Sequence, residues 1–143
     1  MVTRILPAVT ILALAPLTTL YAQETVRYIN GRSASQTNAP PFSGAVLVGN
    51  TLYLSGVLGI GATGEEAARD ALDSMMSTLE AASMTMDDLV SVQVFAVDLA
   101  DYQAFNTVYR SYFTREFPAR AFLGAGSLLN DAKFEVVGIA ARR

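Results

Sequence analysis

The sequence has no cysteine and no histidine. That excludes thiol nucleophiles, disulfides, Ser-His triads and almost every transition-metal site, since each needs a thiolate or an imidazole. Charge is also sparse, at 16% of residues with a net of −3. No basic cluster occurs beyond the terminal Arg142-Arg143 pair. Nucleic-acid binding depends on lysines and arginines that neutralise phosphates, so no nucleic-acid partner is expected. Chemistry is left to arginine, carboxylates, hydroxyls, amides and backbone groups.

What is there is apolar. Hydrophobic residues make up 52% of 143 positions, enough for one domain around one core. Residues 1–22, MVTRILPAVTILALAPLTTLYA, pair a positive Arg4 with an apolar stretch broken by Pro7 and Pro16. That is the pattern of a signal peptide cleaved after Ala22, and the run is short for a membrane span. The expected mature chain, residues 23–143, is a single periplasmic or secreted domain. Without cysteine it has no lipoprotein anchor.

Periodicity places the elements. Residues 26–29 read as a short strand, and the loop after it ends at Pro40-Pro41, two fixed φ angles that set the direction of Phe42. Residues 45–48 and 51–55 read as a hairpin around Gly49-Asn50, closed by Ser55-Gly56. A glycine at a strand end lets a ligand or another backbone approach closely. Thr63 with Glu66 forms a capping box, and Ala68, Ala71, Leu72, Met75, Met76 and Leu79 give the following helix one buried face. Asp87-Asp88 reads as a solvated turn or cap rather than a metal site. Strand 89–97 follows, then helix 102–113, whose apolar stripe of Phe105, Val108, Tyr109, Tyr112 and Phe113 includes the polar Asn106. The last strands are 121–125 and 133–141. This order predicts an α+β fold, a mixed sheet with two helices on one face. The other face then needs cover, which predicts a homo-oligomer.

Residues 117–140, FPARAFLGAGSLLNDAKFEVVGIA, carry two charges in an apolar setting, Arg120 and Glu135. An arginine buried in such a run needs an anion. Its planar fork suits a carboxylate, held through two parallel hydrogen bonds. That carboxylate can belong to a small ligand, to a surface ion pair, to a neighbouring subunit, or to Glu135 in a purely structural bridge. For Ser55 the alternatives are a site hydroxyl or one bonded to backbone.

Several co-linear segments together resemble the Rid (YjgF) family of reactive-intermediate enamine/imine deaminases. They are TLYLSG, RDALDSMMSTLEAA, VFAVDL with ADYQAFNTVY, FPAR with the glutamate of KFEV fifteen residues beyond its arginine, and a final IAARR. The resemblance spans residues 40–143. It implies a chorismate-mutase-like fold, a homotrimer, and clefts between subunits. It also implies hydrolysis of 2-aminoacrylate-like imino acids to 2-keto acids and ammonia without a cofactor. Arg120 then binds the substrate carboxylate, Glu135 positions the attacking water, and Phe42, Ser55, Gly56, Asn106 and Phe122 complete the pocket. Phe42 and Phe122 stand where the family often has tyrosine and cysteine, and Val57 replaces a frequent polar residue, so this pocket is the more apolar. The alternative is a non-catalytic binder of small carboxylates using the same cleft.

Overall fold

A computed structural model describes residues 25–30 and 38–142. The leader expected over residues 1–22 lies outside them. The elements are β1 (Val26–Ile29), β2 (Ala45–Val48), β3 (Thr51–Gly59), α1 (Gly64–Ala81), β4 (Leu89–Ala96), α2 (Tyr102–Arg110), β5 (Ala119–Gly124) and β6 (Phe134–Ala141). The strands form one mixed sheet in the order β1-β2-β3-β6-β4-β5. Only β4 and β5 run parallel, and α2 supplies the crossover between them, as a parallel pair requires.

Alternation assigns the faces. Along β6, Phe134, Val136, Gly138 and Ala140 are buried, whereas Glu135, Val137 and Ile139 are half-buried. The buried set packs under α1 and α2 with Leu52, Leu54, Val92, Val94, Leu72, Met75 and Phe105. The helix start is fixed as expected: Thr63 Oγ1 accepts from the Glu66 amide, and Glu66 Oε2 accepts from the Thr63 amide. Asp87 accepts from Thr114 and Asp88 from the Thr85 amide, so the acidic pair ties down turns.

The opposite face is uncovered. Tyr53 is 50% exposed there, beside Val137 and Ile139. Both helices pack on the other face, and among the described residues no helix is long and apolar enough to cross a membrane.

Three boundaries differ from the sequence expectation by two residues or more. β3 does not stop at Ser55 but runs to Gly59, through a bulge at which Ser55 and Gly56 together face Val137. β5 begins at Ala119, which brings Arg120 into the sheet. α2 ends at Arg110. Tyr112 and Phe113 lie beyond it, yet still pack on the core, so the apolar pattern outlasts the helix.

Candidate active site

Arg120 sits on the edge strand β5, opposite Val92 of β4. Paired residues project from the same face, so Arg120 points to the helix side, as does Phe122 opposite Val94. There the guanidinium enters a corner of aromatic rings. Its Cζ lies 4.7 Å from the centroid of Tyr109 and 5.9 Å from each of Tyr102, Phe105 and Phe122. Cations are attracted to ring faces at these distances. Phe122 is itself held edge-on against Tyr102 and Phe105, at 5.0 and 5.5 Å.

One hydrogen bond fixes the fork: Arg120 Nη2 donates to Asn106 Oδ1 at 2.7 Å. Asn106 lies on α2 within the apolar stripe, and this bond is the partner its amide needed. Asparagine is neutral, so the bond orients the guanidinium without cancelling its charge. Among the described residues the only ion pair is Lys133 with Asp101, and Arg120 meets no carboxylate. A cleft of about 180 Å³ opens beside it, lined by Asn106, Tyr109, Arg110, Phe117, Pro118 and Arg120.

The electrostatics follow. Tyr102 is held below the usual phenol range, first by the Asn106 amide and then by the positive charge of Arg120. Tyr109 is only 4% exposed, and burial pushes its hydroxyl up to about 12 despite the arginine against its ring. Its hydroxyl oxygen has no protein hydrogen-bond partner among the described residues.

Glu135 lies elsewhere. It faces Leu58 of β3 and Phe95 of β4 on the sheet side away from the helices. Its carboxylate folds over the β3 bulge, so that a methyl group at Gly56 would fall 2.9 Å from its Cδ. Gly56 is therefore the residue that lets Glu135 lie flat on the strand. Ser55 donates from Oγ to the Ser43 carbonyl at 2.7 Å, pinning the loop that carries Phe42 to the same bulge. Phe42 itself is 61% exposed.

The residues singled out from the sequence thus fall into two groups. Arg120, Asn106 and Phe122 come together on the helix face at the β5 edge. Ser55, Gly56 and Glu135 come together at the bulge on the other face. Three residue steps and two strand spacings separate Arg120 from Glu135, roughly 14 Å across the sheet, and they point to opposite sides. The direct Arg120–Glu135 bridge within one chain is therefore ruled out. Sequence reasoning passed over Tyr102 and Arg110. Both were findable, because they stand four residues either side of Asn106 and share its helical stripe.

A six-stranded mixed sheet carrying two helices on one face, with its polar groups split between a strand edge and a bulge, defines an α+β protein of the chorismate-mutase-like class. The family described as Endoribonuclease L-PSP matches residues 33–142. The chain belongs to that family, which is the YjgF/Rid family. A protein of Dermatophagoides farinae named 2-iminobutanoate/2-iminopropanoate deaminase is 36% identical, covering 69% of this chain and 84% of its own. The protein of the same name from Escherichia coli K12 is 33% identical, covering 78% and 98%. The crystal structure of the Escherichia coli YjgF gene product superposes with a TM-score of 0.69 at 33% identity, over 72% of this chain and 89% of that one.

Two predictions follow from this geometry. Gly56→Ala is expected to leave the fold intact but rotate the Glu135 carboxylate off the strand. A crystal structure of the variant checks this, and an unmoved carboxylate would refute the close-approach role of Gly56. The second concerns pH. Tyr109 ionises at about 12 in the folded chain against an ordinary 10.0. The folded state therefore keeps its proton where the unfolded state loses it. Stability is full below about pH 10 and falls as pH rises through 12. Denaturant unfolding across that range should show the fall, and Tyr109→Phe should lessen it. Tyr112, also raised to about 12 by burial and by its bond to Asp73, contributes in the same direction.

Proposed function

We propose that this chain is a hydrolytic deaminase of small 2-imino acids, converting them to 2-keto acids and ammonia. The single observation that carries this reading is the Arg120 guanidinium. It is half-buried among rings, oriented by a neutral amide, and without a carboxylate among the described residues. A charge left uncompensated in such a place suits a ligand carboxylate. The names of relatives at 33% and 36% identity support the imine as the substrate class.

The chemistry asks little of the protein. An enamine acid tautomerises to its imine, whose carbon is already electrophilic. Arg120 holds the carboxylate and Asn106 holds Arg120. Glu135 accepts a proton from a water and directs its oxygen at the imine carbon. The tetrahedral carbinolamine then loses ammonia, its nitrogen having taken up the proton, and the hydroxyl oxygen becomes the keto group. The rings around Arg120 keep water from competing for the fork. Phe42 and Phe122 supply apolar walls where hydroxyl and thiol groups are absent.

Because Arg120 and Glu135 point to opposite faces, one copy cannot present both to one substrate. The reading therefore includes a homotrimer in which the β5 edge of one copy meets the bulge of the next. The uncovered apolar face around Tyr53 gives the association its driving force. It also includes an exported mature chain starting at Gln23, on the strength of the leader pattern in residues 1–22. A second reading, a carboxylate-binding protein without turnover, is favoured by the completeness of the Arg120 group without Glu135.

Ammonia release from an imino acid generated in place by an amino-acid oxidase separates the two. Arg120→Ala is expected to abolish both that release and the binding of 2-ketobutyrate seen by calorimetry. Glu135→Gln should lower turnover about 10²- to 10⁴-fold while binding changes little. Full turnover in Arg120→Ala would overturn the mechanism, and full turnover in Glu135→Gln would remove Glu135 from it.

A further inference from the structure

The cleft beside Arg120 holds a second cation. Arg110, on the last turn of α2, lines the same cavity, with its Cζ 5.8 Å over the ring of Phe117. Tyr102, Asn106 and Arg110 are spaced four residues apart and so form one stripe of α2, facing the fork that rises from β5. The phenol of Tyr102 registers both charges, since Arg120 and Arg110 each pull its ionisation down. No carboxylate lines the cavity, and among the described residues neither arginine has an ion-pair partner. Two guanidiniums in one small cleft repel each other, and an anion between them relieves that repulsion.

We propose that this site selects dicarboxylic 2-imino acids, with Arg120 taking the carboxylate next to the imine carbon and Arg110 the carboxylate at the far end of the side chain. This rests on the deaminase reading above and names its substrate class. The matching substrates are the four- and five-carbon imino diacids, 2-iminosuccinate and 2-iminoglutarate. Each would add one water and release one ammonia to give the corresponding 2-keto diacid, with no change of oxidation state. Arg110 and Phe117 line the cleft together, and the Arg110 Cζ lies 5.8 Å over the Phe117 ring, a contact that favours keeping this cation beside the cavity. Arg110 is a specificity residue here, not a catalytic one, because it is assigned to the end of the substrate remote from the reacting carbon.

The test is a comparison of kcat/KM on 2-iminopropanoate, 2-iminosuccinate and 2-iminoglutarate, each generated by an amino-acid oxidase, for the wild-type chain, Arg110→Gln and Arg110→Glu. Losing one charged contact to the substrate should cost the better diacid roughly ten-fold or more relative to 2-iminopropanoate. The reversed charge should cost it more again. The loss should appear mainly in KM, because the contact is made equally in ground state and transition state. A ratio of diacid to monoacid that stays within about two-fold in both variants would overturn the inference. Arg110 is exposed, so neither substitution disturbs the core. If no imine is hydrolysed faster than it decays in buffer, the deaminase reading fails, and calorimetry with oxaloacetate, 2-oxoglutarate and pyruvate still decides the point. Tighter binding of a diacid than of pyruvate, lost in Arg110→Gln, would uphold the two-arginine site. Equal binding would refute it.

Discussion

A guanidinium set among aromatic rings and oriented by a neutral amide is the constraint on which the rest of this structure turns. Arg120 Nη2 gives its proton to Asn106 Oδ1 at 2.7 Å, and the Tyr109 ring lies 4.7 Å away. Ring faces offset part of the cost of burying the charge, at about 0.5–2 kcal/mol for a contact depending on its exposure, but they do not neutralise it. The helix α2 is therefore more than a lid on the core. Its buried side, Phe105 and Val108, anchors it to the sheet, and its polar stripe fixes where Arg120 points. Removing the oxygen at position 106 would leave the core as it is and release the fork.

The second half of the account depends on a backbone irregularity. At Ser55-Gly56 two residues of β3 face one of β6, and the strand bends. The bend and the missing side chain at Gly56 let the Glu135 carboxylate lie along the strand. The Ser55 hydroxyl holds the neighbouring loop by its bond to the Ser43 carbonyl. A carboxylate in that position is half-buried, on a face it shares with the apolar Tyr53, Val137 and Ile139 and the polar Ser91 and Gln93. In the proposed assembly a second copy bringing its Arg120 edge covers the apolar part of this face and supplies a charge opposite to that of Glu135.

Much of this was legible in the sequence. The alternation in residues 134–141 placed Glu135 on the face shared with Val137 and Ile139, and the Thr63–Glu66 pair marked the first helix. The hairpin at Gly49-Asn50 was equally plain, and Gly49 does adopt the positive φ of 56° that its position asks for. Other features were not. Ser-Gly at the end of an apolar run looks like a strand terminus, because a bulge is a property of the pairing and not of the strand alone. Tyr112 and Phe113 continue the helical stripe although the helix has ended, since residues in a turn can still reach the core. Above all, the opposite orientation of Arg120 and Glu135 depends on the register of β5 on β4 and of β4 on β6. No local pattern records those registers. Arg110 was overlooked because a charged residue at the end of a helix is ordinarily solvated, and only its shared stripe with Asn106 pointed to the cleft.

The central claim is that the site is built from two copies of the chain, one giving Arg120 and the next giving Glu135. Co-refolding equal amounts of two inactive chains, Arg120→Ala and Glu135→Gln, tests it most directly. Random assembly would re-create sites holding both native groups, and ammonia release from 2-iminopropanoate should return to roughly a quarter of the wild-type value per site. A mixture as inactive as its separate components would contradict the account.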